Sequence, residues 1–258
     1  MSSINTIGQA GSSYLYGALS SGKRINTAAD GAAEMAISQE FDRQNGGFEV
    51  GTRNLKDAKN AANIADGALD GITGSLQRMR ELAVQASNGL LSDDDRSYIQ
   101  AEIDQLKKGI GDIADKANFN GIPLLDNEDG KVLLISSDAN GTQRPLSRVD
   151  GSLEALGIKD FDVTKDGFDI GAIDKALKTL NGGRSQVGAQ SNSFDVAIGI
   201  NGVSDYNTYA SKSSMMDTEY GSYVSKLKNQ NILEQTRAEM MRKKREDAAR
   251  QTMGIIGN

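Results

Sequence analysis

The chain is predicted to be mainly α: an elongated antiparallel helical coiled-coil bundle that carries a small β-hairpin element. Three observations predict it. First, Leu55, Ala58, Ala62, Ala65, Leu69, Ile72, Leu76, Met79, Ala83, Ala86 and Leu90 follow one another at alternating spacings of three and four, and every one is apolar. With 38% of residues hydrophobic, chance gives such a run in one register with a probability on the order of 10⁻⁵. Second, a matching seam of Ile99, Ile103, Leu106, Ile110, Ile113 and Ala117 follows after a short break, so two helices fold back on one another. Third, the apolar run Val132-Leu133-Leu134-Ile135 precedes Asp138-Ala139-Asn140-Gly141, a strong hairpin-turn signal. The many alanines of the first seam allow close helix approach but bury little area each, which suits a long, thin bundle.

Composition removes most familiar catalysis. The 258 residues include no Cys, no His and no Trp, which excludes disulfides, thiolate or imidazole metal ligands, and nucleophilic triads built on either residue. A net charge of −6 argues against a general nucleic-acid binder. No apolar run is long enough to insert in a membrane, and the N-terminus lacks the apolar run and cleavage site of a secretory signal, so export requires another route.

Taken in order, Met1 to Gly22 is small, polar and glycine-dotted, and Ile4, Ile7, Tyr14, Leu15 and Leu19 give it only a patchy helical face. A turn follows near Ser20–Ala33, then a helix carrying Met35, Ala36, Ile37 and Phe41, which Gly46-Gly47 is expected to bend or interrupt. The seam helix is expected to end at Ser87-Asn88-Gly89, where Asn and Gly readily take a left-handed cap. Ser92 or Asp93 caps the second helix, and Asp94 and Asp95 place negative charge in its positive first turn. Ser152 to Leu156 reads as a helical turn and Phe161-Asp162-Val163 as a further short strand. Ile173, Leu177 and Leu180 restart a helical stripe that continues through Val187, Phe194 and Ile198 and returns beside the hairpin of helices. From Tyr220 the last helix carries Tyr223, Leu227, Ile232 and Leu233, then a charged stretch from Glu239 to Asp247. The resulting divisions are a helical segment at 1–30, the long helix with its antiparallel partner at 31–125, the β element at 126–171, the returning helix at 172–215 and the charged helix at 216–258.

Three local patterns resemble sites. Asp162, Thr164, Asp166 and Gly167 imitate the first half of a calcium loop, but Ile173 stands where the bidentate Glu belongs, so a turn is the simpler reading. Asp93-Asp94-Asp95 has its reason in helix capping. The Arg242–Arg245 cluster reads either as a solvated helix face, with Glu239, Glu246 and Asp247 four residues from basic partners, or as a basic patch for an anionic partner. In the frame set by Leu76 and Met79, Arg78 and Leu82 fall off the seam on one face, and Glu102 sits beside the second seam. They are open to contact unless Leu82 packs under a neighbouring helix.

Several of these stretches resemble bacterial flagellin. Ser20-Ser21-Gly22-Lys23-Arg24-Ile25-Asn26 with Asp30, Ala32-Ala33 and Ala36-Ile37-Ser38 is similar to the family's N-terminal signature. Leu76-Gln77-Arg78-Met79-Arg80-Glu81-Leu82-Ala83-Val84-Gln85-Ala86-Ser87-Asn88-Gly89 is similar to its most specific motif. Phe119-Asn120-Gly121, Arg184, Val187-Gly188-Ala189, Asn192 and Ile232-Leu233-Glu234-Gln235 extend the likeness toward the C-terminus, and 131–158 resembles the family's β-hairpin. The resemblance implies a structural protein, not an enzyme, with no cofactor and no metal. Its ends would pair as inner-tube helices, although the segment at 1–30 looks shortened and the last helix carries Arg237, Arg242, Lys243, Lys244, Arg245 and Arg250. It also implies export of the unfolded chain through the flagellar secretion channel with an export chaperone, an extracellular flagellar location, self-assembly into a filament for motility, and contact with hook-associated proteins. Arg78, Leu82 and Glu102 match the positions through which many flagellins engage a host Toll-like receptor. A minor flagellin or hook-filament junction protein is the near alternative, and a cytoplasmic helical adaptor binding an anionic partner is the alternative of another class.

Overall fold

A computed structural model describes residues 13–126 and 131–256. Helices dominate: α1 over 13–21, α2 Ala32–Ala86, α3 Asp93–Lys116, α4 Ile170–Met216 and α5 Tyr220–Ile256. Two short antiparallel pairs interrupt them, β1 Asn118–Phe119 with β2 Ile122–Pro123, and β3 Leu133–Ser136 with β4 Gln143–Leu146. Packing divides the chain into one unit of Met1–Arg43 with Tyr206–Asn258 and a second of Gln44–Asp205, so both unit boundaries fall inside α2 and α4.

The second unit is built on its seams. Leu55, Leu69, Ile72, Leu76, Met79, Ile103 and Ile110 are fully buried, and Leu106 is half-buried against the same core. From α4, Ile173, Leu180, Val187 and Phe194 complete it, which buries the apolar stripes that each helix presents at three-to-four-residue spacing. Ion pairs along the flanks report the registers: Arg78–Glu102 at 2.8 Å between α2 and α3, and Arg80–Asp174 at 2.7 Å, Arg184–Asp66 at 2.9 Å and Lys59–Asp195 at 2.6 Å between α2 and α4. Falling α4 numbers against rising α2 numbers make that pair antiparallel. At half-exposed sites such pairs add little stability, and the apolar seam carries the packing.

The α2–α3 turn differs from its sequence reading. Leu90, placed last in the seam, is 92% exposed, because α2 ends at Ala86 and the next apolar position falls in the connection. Neither Asn88 nor Gly89 takes a positive φ. The Asn88 side-chain oxygen instead accepts the Leu90 N–H at 3.1 Å, and the Asn88 main-chain carbonyl accepts the Leu91 N–H at 3.2 Å. Ser92 is the cap of α3, in a reciprocal capping box with Asp95.

Gly46 and Gly47 do not interrupt α2. The β3–β4 hairpin lies so close to the helix that a methyl group on Gly47 would overlap Ala139, and one on Gly51 would overlap the Ser137 carbonyl. These glycines admit a backbone rather than break a helix. The hairpin is pinned by Asn201, buried on α4, which donates to the Ser137 carbonyl at 2.7 Å, and by Arg144, which donates to the Ser193 hydroxyl at 2.9 Å. Gly51→Ala is therefore expected to displace the hairpin and cost about 1–3 kcal/mol, as overpacking does. Chemical denaturation checks it; a stabilised variant, as an exposed helical Gly→Ala would be, rules out the close approach.

Two further expectations change. Phe161-Asp162-Val163 forms no strand: Phe161 and Val163 are buried as loop side chains, and the Val163 N–H donates to the Gln100 side chain at 2.9 Å instead of to a strand partner. Conversely, Asn120 (φ 50°) and Gly121 (φ 77°) make a two-residue hairpin turn that closes β1 and β2. The Asn-Gly pair was its signal, obscured because each strand is only two residues long.

In the first unit Leu15 and Ala18 of α1 pack against Tyr223 of α5, while Ile4 and Ile7 lie outside the described residues. The Lys23–Asp217 bridge, with the Arg24 N–H donating to the Met216 carbonyl at 2.6 Å, ties the turn after α1 to the end of α4. Within that turn the Asp30 carboxylate accepts the Thr27 N–H at 2.8 Å and hydroxyl at 2.9 Å, and these bonds hold its pKa below the usual carboxylate range. The signature around Arg24 to Asp30 is thus a folded turn with its donors satisfied.

Tyr14 donates to the Arg24 carbonyl at 2.9 Å, and its hydroxyl lies 3.4 Å from that of Tyr223. The Tyr223 hydrogen bond, assisted by burial, pushes the Tyr14 phenol from 10.0 up to about 12. An acid whose pKa is raised on folding contributes stability that is complete below its unfolded pKa and lost as pH rises through the folded value. The α1–α5 contact should accordingly weaken between pH 10.0 and about 12. Phenolate absorbance should show one late-ionising tyrosine that moves toward the ordinary value in Tyr223→Phe; a Tyr14 that titrates normally in the parent chain contradicts the contact.

Candidate functional site

The flank of α2 and α3 around Arg78 holds the residues that sequence analysis singled out. Arg78 extends from α2 to α3, its Nε donating to Glu102 at 2.9 Å, while a terminal nitrogen reaches Glu81 one turn along at 3.2 Å. Glu102, then Glu81, raise the pKa of this guanidinium above its ordinary value, so it is a fixed cation. The Arg78 and Glu102 side chains stay about half exposed.

Leu82 does not share that face. It is 2% exposed and belongs to the core, although the heptad frame placed it off the seam. The reason is that α2 has neighbours on two sides, meeting α3 through Arg78 and α4 through Arg80, so its buried arc is wider than a two-position seam. Ala61 and Thr73, also outside the seam, are buried for the same reason.

The remaining motifs resolve into local structure. At the calcium-like loop the Asp162 carboxylate accepts the Thr164 N–H at 2.9 Å and hydroxyl at 2.7 Å, which lower its pKa, and Ile173 is fully buried. No cluster of three or more acidic residues among the described residues is placed to hold a metal ion. No helix among them is long and apolar enough to cross a membrane. The basic stretch of α5 is exposed, with Arg242 and Glu246 paired at 3.6 Å.

What stands out on the surface is apolar. Val196, Ile200 and Val203 project from the outer face of α4 at 62%, 55% and 62% exposure, spaced four and three residues apart. Along α5, Ile232, Leu233, Met240 and Met241 are all more than half exposed. The α4 face is not singled out by the sequence, whose spacing follows the core-packed stripe of Val187, Phe194 and Ile198 instead, whereas Ile232 and Leu233 are predicted on an apolar face of the last helix.

A family profile described as the bacterial flagellin N-terminal helical region matches residues 1–129. A flagellin of Halalkalibacterium halodurans is 35% identical over 230 residues, spanning 86% of this chain and 84% of that protein. The crystal structure of Bacillus cereus flagellin superposes with a TM-score of 0.52 at 33% identity, covering 57% of this chain and 88% of that one. A putative flagellar hook-associated protein from Vibrio parahaemolyticus shares the fold, with a TM-score of 0.59 at 17% identity over 73% of this chain and 100% of that one.

Proposed function

The chain belongs to the bacterial flagellin family, and from that premise we propose that its uncovered apolar helix faces are where copies of it join. The protein is a structural subunit that polymerises into the flagellar filament and works there, in a family of structural proteins. The observation that carries the assembly surface is the stripe Val196, Ile200 and Val203, left exposed on α4 although regular helical spacing lines it up on one face. A monomer gains nothing from such a face, whereas a neighbour covering it removes apolar surface from water. Electron microscopy of the purified protein under polymerising conditions tests the reading: filaments support it, and a chain that stays monomeric at high concentration refutes it.

The chain travels unfolded through the flagellar secretion channel, escorted by an export chaperone. The apolar faces of α4 and α5 are what a chaperone would shield before assembly. Hook-associated proteins are its neighbours at the filament ends. The fold shared at 17% identity with a putative hook-associated protein keeps a junction or minor-subunit role as the second reading, and immunogold labelling along the filament separates the two. The adaptor reading is not favoured, since the basic part of α5 is partly paired within its own helix.

A host Toll-like receptor would meet the flank of α2 and α3 through Arg78 and Glu102, while buried Leu82 supports that flank from beneath. Monomer should bind receptor ectodomain, and Arg78→Ala or Glu102→Ala should weaken binding by about tenfold, the scale of a charged contact at an interface. Leu82→Ala should lower stability before it alters contact. Equal affinities across the first two variants would remove the pair from the interface.

A further inference from the structure

We propose that Asn88 is a self-modification site, where the Gly89 nitrogen converts the side-chain amide to a mixture of aspartate and isoaspartate. The sequence holds six Asn–Gly pairs, beginning at Asn45, Asn88, Asn120, Asn140, Asn181 and Asn201, and only folding distinguishes them. Asn-Gly is the pair most open to this reaction because glycine lacks a side chain to shield the attacking nitrogen. The nitrogen must also be free to move onto the Asn side-chain carbon.

Three pairs, at Asn45, Asn181 and Asn201, lie inside α2 and α4, where each glycine nitrogen is bound into the helix. Asn201 is further fixed by its bond to the Ser137 carbonyl. At Asn140 the Gly141 N–H donates to the Asp138 carbonyl at 3.3 Å, and Asp138 also holds the Asn140 and Thr142 N–H groups. Asn120 is locked in the left-handed region of a two-residue hairpin turn.

Asn88 and Gly89 are exposed, neither has a positive φ, and the Gly89 N–H has no hydrogen-bond partner among the described residues. Asn120 and Gly121 are exposed as well, so what sets Asn88 apart is a combination of features that none of the five has together. The Asn88 side-chain oxygen accepts the Leu90 N–H at 3.1 Å. That bond folds the side chain back over the Gly89 peptide, keeping the carbon to be attacked and the attacking nitrogen within one small ring. The same N–H stands where negative charge develops on the oxygen, as a donor at an oxyanion does.

In the reaction the Gly89 nitrogen gives up its proton and forms a bond to the Asn88 side-chain carbon. The Leu90 N–H stabilises the charged oxygen, and the bond to the amide nitrogen breaks, releasing ammonia. Water then opens the five-membered imide at either carbonyl, leaving aspartate or, with the main chain rerouted through the side chain, isoaspartate. The net change is amide plus water to acid plus ammonia, with no oxidant or reductant. Either product places a negative charge beside the C-terminal carbonyls of α2, the end of a helix at which charge of that sign is unfavourable. The modification therefore loosens the α2–α3 turn.

The test is incubation of the full chain at mildly alkaline pH, folded and in urea, followed by peptide mapping by mass spectrometry. Folded, Asn88 should convert at least about tenfold faster than each of the other five, and in urea that lead should collapse. Leu90→Pro removes the N–H while changing an exposed side chain, and it should slow Asn88 by about tenfold in the folded protein; Leu90→Ala, which keeps the N–H, should not. Circular dichroism establishes that both variants keep their helices. Faster conversion at Asn120 or Asn140, a lead that persists in urea, or a Leu90→Pro rate equal to the parent's overturns the assignment.

Discussion

Leu76→Ala will unfold the Gln44–Asp205 unit under conditions in which the parent chain is folded, at a cost of about 2–5 kcal/mol. Leu76 is fully buried in the middle of the α2 seam, surrounded in sequence by Ile72 and Met79, which are also sealed from solvent. Removing its branched end takes away transfer energy and leaves a cavity that the neighbouring helices, held on both flanks by paired charges, close only in part. Denaturant unfolding followed by circular dichroism measures it. A loss under about 0.5 kcal/mol, the range of ordinary surface changes, would mean that Leu76 is not packed in the isolated subunit.

Deleting the chain after Tyr220 is expected to abolish filament formation while leaving the second unit folded. The seams of that unit end well before Tyr220, so its core loses no side chain. The first unit loses Tyr223, which covers Leu15 and Ala18, and with it the packing that orders α1. It also loses the exposed Ile232, Leu233, Met240 and Met241, apolar groups that a neighbouring subunit would cover. Electron microscopy and sedimentation read assembly, and circular dichroism reads the remaining helix. Filaments built from the truncated chain would refute a role for α5 in polymerisation.

Why a mainly helical chain was legible from composition and spacing is clear at particular residues. Leu55, Leu69, Ile72, Met79, Ile103 and Ile110 announce themselves by recurring on one helical face, and a helix is a local structure whose period is written along the chain. Ser92 and Asp95 announce a cap, and Asp138 to Gly141 a turn, because those interactions span only three or four residues. The lack of Cys and His is likewise read from the sequence alone, and it leaves these 258 residues without thiolate or imidazole groups.

Other positions acquired their meaning only from neighbours distant in the chain. Gly47 and Gly51 have the composition of a helix break, yet they are the surface onto which the β3–β4 hairpin settles. Leu82 has the heptad position of a surface residue, yet a second flanking helix closes over it. Val196, Ile200 and Val203 have the composition of core, yet they stay more than half exposed among the described residues, and Asn88 became distinct from five similar Asn–Gly pairs through its place outside the helices and the hydrogen bond from Leu90. The sequence by itself determined the helices, their seams and their caps, because those depend on residues within a turn or two of each other. The tertiary structure decided which further faces are buried, which glycines are approached and which apolar stripes remain for another copy, because these depend on how many helices surround a given side chain, a quantity no local period contains.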